Sequence, residues 1–264
     1  MKFDIEYAVF CHKGKIRTVN QDNFWCKGIF LDSENAGLPV PLTGITDTAQ
    51  SPIFAVFDGM GGEEKGEIAA YTAARCFDSF SRKKTKKNVS QFLVNSCLGM
   101  NKAICDYAEE KNIQRMGTTT AILQFGRREI YICNVGDSRI YQYSKKKLTQ
   151  ISCDHNMETI VGRKPSLTQN LGIPQSEFII EPYISKGVYV HEDIYLICSD
   201  GLTDMLMEEE IVGIMNDYGE NTQQCGESLL QKALENGGHD NITLILCRIN
   251  KPRKFLGFGK KRVI

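Results

Sequence analysis

Ile53-Phe54-Ala55-Val56-Phe57-Asp58-Gly59-Met60-Gly61-Gly62 is the stretch from which the fold of this chain is read. Five apolar residues, enough for a buried strand, end on a carboxylate, and glycines follow at 59, 61 and 62. A carboxylate emerging from a strand among residues without side chains can hold a hard cation close to the backbone. The same grammar recurs. Residues 194–198 run into Ser199-Asp200-Gly201, residues 130–135 run into Gly136-Asp137-Ser138-Arg139, and His239-Asp240-Asn241 leads into the apolar run 242–246. A single Asp-Gly or Gly-Asp pair is an ordinary turn. Turns, however, do not require an aspartate at the same end of several strands, so the pattern predicts one acidic metal cluster at the rim of a sheet.

The surrounding composition narrows the class. With 264 residues and 42% hydrophobic content, the chain can bury a sizeable core. Lys+Arg and Asp+Glu both total 32, so no global field draws it to nucleic acid or to a membrane surface. No apolar run approaches membrane-spanning length, and the first residues lack the apolar core of a signal peptide. The ten cysteines form no C-x-x-C pair, and no two of the four histidines stand at ligand spacing, which argues against zinc. Cys11, Cys133, Cys198 and Cys247 lie within strand-like runs and read as small buried hydrophobes in a reducing, cytoplasmic setting.

Along the chain, residues 3–11 alternate as a strand, with 23–31 as the expected antiparallel partner and 32–52 as a polar surface excursion. Helices are expected over 63–80 and 89–111, the second capped by Ser90, with a basic loop at 82–87 between them. Strands are predicted at 118–125, 129–135, 139–143, 178–184, 193–198 and 242–249, helices at 208–218 and 222–236, and a loop-rich segment over 147–174. Helices that come in two blocks between runs of strands indicate an α+β fold.

A second informative block is Arg17-x-x-Asn20-x-Asp22, in which a planar cationic fork adjoins a carboxylate. Together with Asp58-Gly59-Met60-Gly61-Gly62, Gly117-Thr118-Thr119, Gly136-Asp137-Ser138-Arg139, Asp154-His155, Ser199-Asp200-Gly201 and Asp240-Asn241-Ile242-Thr243, in that order, it resembles the metal-dependent serine/threonine protein phosphatases of the type 2C family in their compact bacterial form. The resemblance implies a four-layer αββα sandwich of two packed antiparallel sheets flanked by helices. It also implies two Mn²⁺ or Mg²⁺ ions, with a third possible. Asp58 would bridge both metals, Asp200 and Asp240 would complete the first, and Asp22 with the Gly59 carbonyl would serve the second. Asp137 with Asp200 would match the third site, and Arg17 would bind the substrate phosphate. The reaction implied is hydrolysis of phosphoserine and phosphothreonine by in-line attack of a hydroxide bridging two divalent ions. The expected partners are phosphorylated proteins made by a serine/threonine kinase, and the expected state is a monomer. The domain is expected to run over 1–250 with a flap at about 148–174, followed by the basic tail 251–264.

Met60 stands where many eukaryotic members place a histidine that assists the leaving group, so water is expected to take that role, with His12 and His239 read as structural. Arg163 and Lys164, in the flap, are expected to influence substrate choice. The alternative from another class is a catalytically silent, phosphatase-like binding scaffold, which would require a broken acidic set. Neutral charge without a basic stripe speaks against a nuclease. Glu67, where a phosphate-binding loop needs lysine, speaks against a nucleotide-binding module.

Overall fold

The computed structural model describes residues 2–60, 65–82, 88–157 and 166–252. Eleven strands form two antiparallel sheets among these residues. One sheet is six-stranded, in the order β3 (Leu42–Asp47), β1 (Asp4–His12), β11 (Ile242–Asn250), β10 (Ile194–Cys198), β7 (Arg139–Ser144) and β8 (Lys147–Gln150). The other is five-stranded, in the order β2 (Asp22–Cys26), β4 (Ile53–Asp58), β5 (Thr120–Phe125), β6 (Glu129–Val135) and β9 (Tyr183–Val188).

Side chains alternate across the strands and both faces are covered, which accounts for apolar runs without a polar face. In β1, Ile5, Tyr7, Val9 and Cys11 enter the core between the sheets, whereas Ala8 and Phe10 point the other way. In β4, Phe54 and Val56 face the sister sheet, and Ile53, Ala55 and Phe57 face helices. Those helices are α1 (Gly66–Arg82), laid down on Ala69, Ala70, Ala73, Ala74 and Phe77, and α2 (Val89–Lys111), laid down on Leu93, Cys97, Met100 and Ile104. On the opposite face α4 (Glu208–Tyr218) and α5 (Thr222–Glu235) bury Ile211, Met215, Cys225, Leu229 and Ala233. The result is the αββα sandwich expected, with a single helical turn, α3 (Asp200–Thr203), added after β10. No helix among the described residues is long and apolar enough to cross a membrane.

Several local expectations are corrected. The stretch after Asp22 does not pair with β1; β2 joins the other sheet beside β4, with Asp22 opposite Asp58. β1 pairs β11 on one side and, on the other, a strand within 32–52, where β3 pairs Leu42 with Val9 and Asp47 with Asp4, so that segment is an edge strand as well as an excursion. The strand expected at 178–184 begins at Tyr183, pairing β6 through Val188. The cap of α2 is Asn88, whose side chain accepts from the Gln91 amide at 3.0 Å, and not Ser90. All ten cysteines are free, and Cys11, Cys133, Cys198 and Cys247 are buried as expected. Gly61, Gly62, most of the basic loop (83–87), Arg163, Lys164 and the tail from 253 lie outside the described residues.

Candidate metal centre

Antiparallel pairing brings the aspartates to one end of the sandwich. Asp58 ends β4, Asp22 opens β2 across from it, Asp137 follows β6, Asp200 follows β10, and Asp240 precedes β11. Two of the carriers belong to one sheet and two to the other, while Asp137 sits in the turn that passes from β6 to β7 between the sheets.

Hydroxyls and amides outside the acidic set hold these carriers in place. The Ser199 hydroxyl donates to Asp22 Oδ2 at 2.7 Å, so the last residue before α3 clasps the first of β2. The same hydroxyl accepts from the Thr243 amide at 3.0 Å. Thr119 N–H donates to the Asp58 carbonyl at 2.8 Å, the Thr118 hydroxyl donates to the same oxygen at 2.9 Å, and the Asp58 amide donates to Thr119 Oγ1 at 3.2 Å. Thr118 in turn exchanges both backbone hydrogen bonds with Leu171, 3.0 and 2.9 Å, near the end of the segment expected to form a flap. Asn241 pins the loop that carries Arg17: its Oδ1 accepts from Gln21 N–H at 2.8 Å and its Nδ2 donates to the carbonyls of Lys13 and Val19 at 2.8 and 3.0 Å.

Two glycines are required by close backbone approach. A Cβ on Gly59 would run into the carbonyls of Gly66 and Gln21, and one on Gly201 would run into the carbonyl of Asn241. The second of these seats α3 directly on the 240–241 backbone and fixes Asp200 beside Asp240.

Arg17 faces the cluster. Its guanidinium donates to Asp240 Oδ2 at 2.6 Å, and its pKa is raised by that bond and by the charges of Asp240, Asp200 and Asp58. The carboxylates repel one another in a poorly hydrated place. Burial, reinforced by the charges of Asp200, Asp22, Asp137 and Asp240, holds the Asp58 carboxyl well above the usual range. Burial likewise pushes Asp22, 2% exposed, up to about 7, against the pull of the Ser199 and Thr243 hydroxyls. Among the described residues no three carboxylate, histidine or cysteine side chains close into a ready-made metal cage. The aspartates instead form a concentrated negative field, with the Arg17 guanidinium bonded to Asp240. An all-oxygen donor set in such a field fits hard divalent ions and not soft ones.

His12 and His155 are tied to structure. Gly14 N–H donates to His12 Nδ1 at 2.9 Å and Gly136 N–H donates to His155 Nδ1 at 3.1 Å. The second contact roots the entry limb of the flap beside Asp137, aided by Arg139, whose Nε donates to Asp154 Oδ2 at 2.8 Å. Met60 N–H donates to the Gly117 carbonyl at 3.0 Å. Every predicted site residue thus lies at this end, whereas the roles of Ser199, Thr118, Thr119, Thr243 and Asn241 were not anticipated, although they occur inside the quoted motifs.

The relatives of similar sequence are serine/threonine phosphatases. The chain is 28% identical over 258 residues to the serine/threonine phosphatase stp of Listeria welshimeri, spanning 92% of this chain and 95% of that protein. It is 25% identical over 256 residues to the serine/threonine protein phosphatase PstP of Mycobacterium tuberculosis, covering 93% of this chain and 45% of that one. Among solved structures, the PstP catalytic domain in complex with two manganese ions superposes with a TM-score of 0.75, at 23% identity over 95% of this chain and 100% of that one. A bacterial serine phosphatase superposes at 0.77, with 24% identity over 94% and 98%. At those identities the superpositions show the fold. The profile described as protein phosphatase 2C matches residues 42–236, from the edge strand β3 through α5, and on that match the chain belongs to the protein phosphatase 2C family.

Proposed function

We propose that this protein hydrolyses phosphoserine and phosphothreonine in proteins, as a monomer in the cytoplasm, opposing a serine/threonine kinase. The observation that carries the reading is the field of five aspartates gathered at the sheet ends, where burial and the neighbouring carboxylates raise Asp58 and Asp22 above the usual range. Asp58, Asp200 and Asp240 would hold one divalent ion, and Asp58, Asp22 and the Gly59 carbonyl would hold a second, manganese or magnesium. Asp137 with Asp200 would hold a third. When bound, such ions activate water and neutralise charge on the phosphoryl oxygens.

The chain's own residues do the rest. Arg17, held by Asp240 at 2.6 Å and 41% exposed at its side chain, is placed to turn its remaining N–H donors to a phosphate arriving from solvent. The Asp58 and Asp22 backbones are fixed by Thr118, Thr119 and the strand register, so the carboxylates have little freedom to separate. Met60 carries no proton to give, so the leaving oxygen takes its proton from water. The scaffold reading would need a missing carboxylate, and all five are present.

The test is turnover of a phosphothreonine peptide by the purified chain with Mn²⁺, with EDTA, and with Asp200→Asn. Metal-dependent release of phosphate that disappears in the variant supports the assignment. Equal rates in EDTA and Mn²⁺, or an active variant, would overturn it.

A further inference from the structure

A cavity of about 640 Å³ lies between the C-terminal end of α2, the turn after it and the limb leaving the flap; its lining includes Glu109, Ile113, Arg115, Asn170, Ile173 and Glu177. Its floor, at Met116, adjoins the Gly117–Thr118 segment that supports the Asp58 backbone. Met116, 2% exposed, precedes Gly117, whose carbonyl takes the Met60 amide at 3.0 Å. Asn170 Nδ2 and Met60 Sδ both lie against Gly117, 2.6 and 2.9 Å from where a Cβ would stand. From Asp58 the path to Gly117 is two residues of chain and one strand spacing, on the order of 10 Å, and the lining of the cavity begins at the next residue, Met116.

The walls are preformed. Asn112, in the left-handed region at φ 54°, ends α2 and turns the chain into the floor. Asn101, 7% exposed, accepts from the amides of Gly172 and Ile173 at 2.7 and 3.1 Å, and its Nδ2 donates to the Ile173 carbonyl at 2.9 Å. The limb that carries Asn170 is thereby bolted to α2. The ionic lining is two carboxylates, Glu109 and Glu177, against one guanidinium, Arg115, and none of the three makes an ion pair among the described residues.

We propose that this cavity is a substrate subsite that takes a lysine or arginine side chain about three residues from the phosphorylated serine or threonine, its cation lodged between Glu109 and Glu177. An extended peptide advances about 3.4 Å per residue, so a phosphoryl group at the aspartates puts the third residue away at the mouth. The inference rests on the phosphatase reading above and adds to it a class of preferred sequence.

The experiment compares kcat/KM, with Mn²⁺, for phosphothreonine peptides carrying Lys, Ala or Glu three positions before or after the phosphoresidue, alongside a small aryl phosphate. The expected order is Lys, Ala, Glu on one side, with Lys over Ala by about fivefold at low salt, as an exposed ion pair allows, and a ratio near one at about 1 M salt. In Glu109→Gln/Glu177→Gln the Lys/Ala ratio should fall to about one, and in Glu177→Lys the order should reverse. Equal rates for all peptides, or a preference for Glu in the unaltered chain, would overturn the subsite while leaving the phosphatase reading intact. No turnover of any peptide or of the aryl phosphate would overturn the phosphatase reading, and the subsite with it.

Discussion

Replacing Asp22 by asparagine should stabilise the metal-free chain while weakening its response to manganese. Asp22 is 2% exposed and its carboxyl is raised from 3.8 to about 7, first by burial and then by the charges of Asp200 and Asp240. An acid whose folded pKa lies above its unfolded one binds more protons folded than unfolded between the two values. Stability therefore falls as pH climbs from about 4 to 7, and the loss is complete above 7. A rise of about three units corresponds to on the order of 4 kcal/mol at pH 8. Asparagine keeps an oxygen to accept from the Ser199 hydroxyl and carries no charge, so part of that cost is recovered. In EDTA at pH 8 the variant should melt several degrees above the unaltered chain, at about 2–4 °C per kcal/mol for a domain of this size, and the gap should narrow toward pH 5. Manganese should then raise the melting temperature of the unaltered chain by more than that of the variant, which loses only the second site. The assay is differential scanning fluorimetry over pH 5–8 with and without metal. A variant that melts lower than its parent in EDTA at pH 8 would refute the charge-crowding argument.

Asp58→Asn should reduce turnover of a phosphothreonine peptide by more than tenfold, a barrier increase above about 1.4 kcal/mol, with the circular dichroism spectrum retained; a smaller loss would remove Asp58 from the centre. Arg17→Ala should raise KM more than it lowers kcat, because it strips a phosphate contact and leaves the aspartates in place, a split that steady-state kinetics reads directly. Gly201→Ala should lower the melting temperature, since its methyl would meet the Asn241 carbonyl, and overpacking of this kind costs about 1–3 kcal/mol.

The gathering of the aspartates at one end of the sandwich was largely legible in the sequence because its signal is local: an apolar run, then a carboxylate, then glycine, repeated at several strand ends. Helices α2 and α4 were legible to the residue for the same reason. Sheet partnership was not. Alternation in β1 and β2 looks the same whether they pair with each other or lie in different sheets, and the pairing of Asp22 with Asp58 spans a segment that itself contains β3. The cap of α2 was ambiguous because Asn88 and Ser90 are both good capping residues two positions apart, and only the backbone geometry at Asn88 decides between them. Ser199, Thr118 and Asn241 carry no signal in isolation; their importance comes from distant partners such as Asp22, Asp58 and Lys13. Asn101 lies in mid-helix, and nothing around it in sequence indicates a grip on residues 172–173.

Thr118 has a thermodynamic consequence. Its backbone exchanges two hydrogen bonds with Leu171 of the flap limb, and its hydroxyl supports the Asp58 carbonyl. One residue thus serves both the exit limb of the proposed flap and the strand end that carries Asp58. Displacing the limb means that Thr118 gives up partners on one side or shifts on the other. Free energy coupled through one residue is reciprocal: whatever factor a bound phosphopeptide adds to manganese affinity, manganese must add to peptide affinity.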